Sequence, residues 1–218
     1  MSTIDLKKNA LSNHIAEHII EQIVTGELKP GEKLIELSYA EEFGISKAPV
    51  REAIYLLTME GLVEKIPRKG AVVKGYTTSE IHDLLEIRIM LESLSMKRIA
   101  ECGVDSEIIN KMESLLAEMQ EQKEIGVYTQ LNHSFHMCLI EMSKSEVIHN
   151  VYSRLKHPLQ RIQNLSFSGE GNIKKSVAEH EIIVKLLKQG NVLDASRVLK
   201  KHNQDVIESI QQWLNKGI

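Results

Sequence analysis

The chain is poor in the residues that make cross-linked or stacking scaffolds, with two cysteines, four prolines, one tryptophan and 4% aromatics among 218 residues. Cys102 and Cys138 share no CxxC spacing, so neither a disulfide framework nor a cysteine zinc site is expected, and both are expected as buried free thiols. Aromatics this sparse do not build the platforms that hold single-stranded nucleic acid. No apolar run approaches the ~20 residues of a membrane span, and MSTIDLKKNA lacks the apolar core of a secretory leader, so a cytoplasmic protein without membrane contact is expected. Also missing are HExxH, G-x-S-x-G, internal repeats and low-complexity tracts.

What remains is a globular composition, 42% hydrophobic and 26% charged with a net charge of −3, long enough for two small domains with separate cores. The stretch that organises the chain is Ile45 to Leu62, ISKAPVREAIYLLTMEGL. Ser46 is placed to cap a helix, and Pro49 falls in its first turn, where a missing N–H costs nothing. Val50, Ile54, Leu57 and Met59 repeat near helical spacing and are expected inside, which leaves Lys47, Ala48, Arg51 and Glu52 outward. Upstream, LIELSYAEEF is a short amphipathic segment closed by Gly44, so Gly44–Ile45–Ser46 becomes the turn of a helix-turn-helix. Spacing alone also fits a helical hairpin in an ordinary bundle. Charge favours DNA: from Ile45 to Gly75, Lys47, Arg51, Lys65, Arg68, Lys69 and Lys74 face only Glu52, Glu60 and Glu64 in an acidic chain.

The remaining segments follow from caps and periodicity. Asn9 or Ser12 would cap a first helix carrying Leu11, Ile15, Ile19, Ile23 and Val24, on which His14 and His18 read as surface histidines rather than metal ligands. Leu28–Lys29–Pro30–Gly31 is a turn, and strands over 62–66 and 71–74 flank Pro67–Arg68–Lys69–Gly70 as a β-hairpin wing. Gly75–Tyr76–Thr77–Thr78 is a linker. Beyond it only helices are expected: one capped by Thr78 or Ser79 and ended by Gly103, one capped by Asp105, one after Gly126, then 145–167 broken near Pro158, 174–188 and 192–215. The turns between the last of these are Ser168–Gly169–Glu170–Gly171 and Gln189–Gly190–Asn191. The fold class is therefore mainly α, with a winged helix-turn-helix over 1–76 and an all-helical domain over 77–218.

The residues PGEKLIELSYAEEFGISKAPVREAIYLLTMEGLVEKIPRKGAVV resemble the winged helix-turn-helix of the GntR family of bacterial transcription regulators. That resemblance implies DNA contacts from Ser46, Lys47, Ala48 and Arg51, with Gly70 at the tip of the wing; the charges of Arg68 and Lys69 at that tip are placed to reach phosphate or the minor groove. Lys47 and Ala48 replace the family's usual Arg and Thr; Lys lacks the planar fork that grips guanine, so base reading is expected to shift to Arg51. The segments DLLEIRIMLESL, LNHSFHMCLI, AEHEIIVKLL and KKHNQ resemble the effector-binding FCD domain of the FadR subfamily. The metal-holding positions implied are Asn132, His136, His180 and His202, suited to Zn²⁺ with Ni²⁺ as an alternative. Asn132 stands where the family has Asp, which removes a formal charge, and His133, about 100° round the helix from Asn132, is not expected as a ligand. Arg88 has two readings: a guanidinium facing a cavity and binding a carboxylate effector, or a partner of Glu92 on a solvated face.

The function expected is a homodimeric regulator, read as a repressor, that binds a double-stranded inverted-repeat operator and responds to a small organic acid bound near the metal. The competing function is a metal-dependent hydrolase built on the histidines. It lacks a general base, since Glu179 beside His180 is expected to point elsewhere. A helical interaction scaffold would leave SKAPVREAI and the wing unexplained.

Overall fold

The computed structural model describes residues 3–169 and 171–215 and divides into two compact units, Met1–Tyr76 and Thr77–Ile218. Ten helices and one antiparallel hairpin account for the regular structure of the described residues.

In the first unit, α1 (Thr3–Thr25) lays Ile15, Ile19 and Ile23 against Val50, Ile54 and Leu57 of α3 (Lys47–Met59), and these six are essentially without solvent exposure. The first helix starts earlier than the caps expected at Asn9 or Ser12. Ser12 is buried inside it and donates to Glu52 of α3 over 3.1 Å. Between them, α2 (Glu36–Glu42) ends where Gly44 takes a positive φ of 64°: Ile45 N–H reaches the Ala40 carbonyl and Gly44 N–H the Glu41 carbonyl, closing the helix with the paired bonds of a left-handed cap. The same pattern recurs at Gly61, whose following residue Leu62 bonds back to Leu57 and leads the chain into the wing. Met59 is 69% exposed rather than inside. It lies about 200° round the helix from Leu57, and Ala53 fills the inward stripe instead.

The wing pairs β1 (Val63–Ile66) with β2 (Gly70–Val73), Val63 opposite Val73 and Ile66 opposite Gly70. Its tip is Pro67–Arg68–Lys69, with Arg68 in the left-handed region at φ 67°, so Gly70 opens the second strand rather than forming the tip. The segment after Pro30 runs along the outer edge of β2, Gly31 and Leu34 N–H bonding to the Val73 and Ala71 carbonyls.

The second unit consists of α4 (Thr78–Cys102), α5 (Ser106–Glu121), α6 (Ile125–Met142), α7 (Glu146–Ser153), α8 (Lys156–Phe167), α9 (Asn172–Lys188) and α10 (Val192–Asn215). Thr77, not Thr78 or Ser79, caps α4 through a reciprocal box with Glu80, and Asp105 caps α5 through Glu107 and Ile108 N–H. Gly126 lies inside the first turn of α6, and the break before α8 falls at Leu155, because Pro158 is accommodated in that helix's first turn. Of the turn drawn from Ser168 to Gly171, Glu170 lies outside the described residues.

Helix α6 runs through the middle, packed by α4, α5, α7 and α8, and buries residues on every side, among them Tyr128, Phe135, Cys138 and Leu139. A core of Met96, Ile99, Met112, Leu116, Met119 and Leu187 surrounds it. Cys138 is buried as expected, whereas Cys102, the last residue of α4, is exposed. The inward stripe of α4 is not the wholly apolar one its composition suggests: Arg88, Glu92 and Ser95 are buried in it, while Ile87, Met90 and Leu94 are left outside.

Candidate DNA-reading helix and interior histidine centre

The start of α3 projects into solvent. Ser46 sits at the N-cap position with extended backbone but makes no side-chain capping bond, and Ser46, Lys47, Ala48 and Arg51 are all exposed. Glu52 is only half-buried and is tied to Ser12. The Arg51 guanidinium meets Glu36 of α2 at 2.9 Å. An exposed pair of this kind is weak and easily exchanged for a phosphate or a base edge. Arg68, Lys69 and Gly70 are exposed on the wing. His14 and His18 present their rings edge-on to Phe43.

The second unit keeps its chemistry inside. Asn132 and His136 from α6, His180 from α9 and His202 from α10 are all buried. One ring nitrogen from each of the three histidines lies within 4.8 Å of the others. His136 Nε2 and His180 Nε2 face one another at 3.2 Å. His202 Nδ1 is 2.7 Å from Glu179 Oε2, so Nδ1 donates to that carboxylate and the ring's other nitrogen, Nε2, is buried without a partner. His136 Nδ1 lies 3.1 Å from Glu92 Oε1, an ion-pair distance without the alignment of a full hydrogen bond. Burial, then the Arg88 charge, lowers the His136 pKa to about 4. Burial, then His202 and His136, holds His180 well below the ordinary imidazole value. Burial thus favours neutral rings at His136 and His180, the form in which an imidazole can give a lone pair to a divalent transition metal. Both polar atoms of Asn132 are buried without a partner, one helical turn before His136. His133 turns away and stacks on Tyr152 at 5.7 Å, its pKa lowered to about 3 by burial, then by Arg88.

Beside the histidines lies a buried polar network. Arg88 Nε donates to Glu92 Oε1 at 2.8 Å, both side chains being 1% exposed. Tyr152 O–H donates to the same oxygen at 2.7 Å, and Asn203 donates to Glu92 Oε2 at 2.6 Å. Burial alone would raise the Glu92 pKa, but Arg88 and then His136 outweigh it and hold the carboxylate ionised. Neither sequence reading of Arg88 is complete: it does pair with Glu92, yet in the interior, and its two terminal nitrogens have no partner. Those nitrogens form the edge of the guanidinium that a carboxylate grips bidentately.

Residues 83–205 match the FCD domain and residues 11–73 the gntR family of bacterial regulatory proteins. The chain belongs to the GntR family and carries an FCD domain. It is 26% identical over 201 residues to the HTH-type transcriptional regulator YdhC of Bacillus subtilis strain 168, covering 90% of this chain and 89% of that one. It is 24% identical to the gluconate operon transcriptional repressor of Bacillus licheniformis, covering 97% and 92%. Its fold matches a GntR transcriptional regulator from Rhodococcus sp. RHA1 with a TM-score of 0.80 at 19% identity, covering 92% and 97%. These families and relatives are transcription regulators and not enzymes, so the GntR protein is a DNA-binding transcription regulator and the hydrolase reading falls.

Sequence reasoning missed the roles of four residues in this GntR protein's interior. Glu179, expected to point elsewhere, orients His202: the turn that sends His180 inward brings its neighbour against α10. Glu92 was legible only as a helical partner of Arg88, and Tyr152 and Asn203 carried no local signal. A small pocket of about 40 Å³, lined in part by Lys175, Ser176, Glu179 and Asp205, reaches His202. No helix among the described residues is long and apolar enough to cross a membrane.

Proposed function

We propose that this regulator acts in the cytoplasm as a homodimeric repressor, reads an inverted-repeat operator with two copies of α3, and is tuned by a small organic acid and a divalent metal. One recognition helix reads only a few base pairs, and a twofold pair reaches successive major grooves about 34 Å apart. The observation that carries the ligand reading is the facing pair of buried, neutral imidazoles, His136 and His180, with a ring nitrogen of His202 within 4.8 Å of them. Zn²⁺, or alternatively Ni²⁺, fits this donor set, with the neutral Asn132 oxygen as a fourth ligand. The loss of charge at Asn132 leaves room for a carboxylate on the metal. Such a ligand would supply the missing negative charge, and the unpartnered edge of the Arg88 guanidinium would hold its carboxylate. The metal itself would supply Lewis acidity that fixes the acid in place.

The test begins with selection from a random duplex pool at about 150 mM salt, where non-specific phosphate binding is weakened. Enrichment of a short inverted repeat is expected. Operator affinity is then measured after chelation, after Zn²⁺ or Ni²⁺ addition and across a panel of small acids, with a change of about 5- to 150-fold expected. If no acid and no metal moves operator affinity, the effector reading is lost while the DNA-binding one stands.

A further inference from the structure

We infer that the outer face of α4 is a twofold interface on which a second copy of this chain packs its own α4 antiparallel, with Met90 on the axis. This rests on the homodimer reading above and locates the contact.

Helix α4 carries three large apolar side chains in solvent, Ile87, Met90 and Leu94, and Met90 is 70% exposed. They are not scattered. Asp83, Ile87, Met90, Leu94 and Lys97 follow one another at steps of four and three, which puts all five on one stripe of the helix, and all five are exposed. The opposite side of the same helix is committed to the interior through Ile81, Leu85, Arg88, Glu92 and Met96, so the outer stripe has no role in this unit's own core.

The charges at the two ends of the stripe decide what covers it. Asp83 and Lys97 each stand seven residues from Met90, about 10 Å along the axis in opposite directions. Among the described residues neither has an ion-pair partner. A second α4 laid parallel would set Asp83 against Asp83 and Lys97 against Lys97. Laid antiparallel about Met90, it sets Asp83 of each copy against Lys97 of the other, twice over, and brings Ile87 of each beside Leu94 of the other. The pattern of acid, apolar centre and base is self-complementary only under a twofold rotation, which is the requirement of an isologous contact. Glu86 adds to the acidic end beside Asp83.

The test uses the full chain without DNA, with its mass in solution followed by sedimentation as a function of concentration. The wild type is expected to be a dimer. Met90→Glu, at an exposed position that leaves the circular dichroism unchanged, is expected to raise the dimer dissociation constant by about a hundredfold or more. Asp83→Lys and Lys97→Glu each are expected to raise it by about tenfold, and the double reversal in one chain to return it to within about threefold of the wild type. In a Cys102→Ser background, Met90→Cys is expected to form an intermolecular disulfide on mild oxidation. Leu94→Cys is not, since the two copies of that position lie about 12 Å apart along the pair, too far to bridge. A wild-type dimer that survives Met90→Glu, or a Met90→Cys variant that fails to cross-link, overturns this interface and leaves the homodimer standing. A monomeric wild type overturns both.

Discussion

In the unit ending at Tyr76, Ser12 is the sole buried polar side chain among the described residues, whereas the unit beginning at Thr77 buries Arg88, Glu92, Asn132, His133, His136, His180, His202 and Asn203. The first unit packs an apolar core and displays its candidate functional side chains on the outside, at the start of α3 and on the wing. The second places them within its core, where each buried polar group requires a partner or a ligand. The contrast explains why substitutions at functional positions should leave the first unit folded and unfold the second.

The largest expected effect is at Glu92. Glu92→Ala removes the acceptor of Arg88, Tyr152 and Asn203 together and leaves a buried guanidinium uncompensated; a loss of about 3–5 kcal/mol in urea unfolding of the helical unit is expected. A loss below 1 kcal/mol would erase the distinction between the units. Arg51→Ala tests the other side of the comparison. Operator affinity should fall by about 1–3 kcal/mol, while the thermal midpoint stays where it was, because Arg51 is exposed and its bond to Glu36 is a surface pair. A lowered midpoint with intact DNA binding would show the opposite arrangement. Asp105→Ala, which deletes the α5 cap, should cost about 1 kcal/mol in equilibrium unfolding, with operator binding unchanged.

The effect that vanishes at neutral pH is a pH dependence. Burial, then Lys156, lowers the His157 pKa from 6.5 to about 4. Its neutral form is therefore favoured in the folded chain: the contribution to stability is complete above pH 6.5 and is lost as pH falls towards 4. Unfolding measured across that window should show a shallower acid slope in His157→Gln than in the wild type; an unchanged slope would assign the acid sensitivity elsewhere.

Much of the first unit was legible because its determinants are local. Gly44, Ser46 and Pro49 set where α3 begins, the spacing of Val50, Ile54 and Leu57 sets its inner face, and the outward residues then follow by rotation. The failures there, Met59 and the start of α1, arose where a single apolar residue or polar cap was judged apart from the stripe it belongs to. In the second unit, element boundaries were again readable from Asp105 and Gly103, with the α4 cap one residue early at Thr77, but the contents of the interior were not. Arg88 and Glu92 are four apart on a helix, and nothing in that spacing distinguishes a solvated pair from a buried one.

The sequence alone determined the helix-turn-helix and wing of the first unit and, through resemblance, the GntR class of the chain and the four positions Asn132, His136, His180 and His202 as a candidate set. Only the tertiary structure decided that the three histidines converge, that Glu179 orients His202, that Glu92 gathers Arg88, Tyr152 and Asn203, and that Ile87, Met90 and Leu94 are left outside. The reason is physical. Helical periodicity and capping act within a few residues, while burial and the meeting of side chains from α4, α6, α9 and α10 depend on how separate helices pack, which no local pattern encodes.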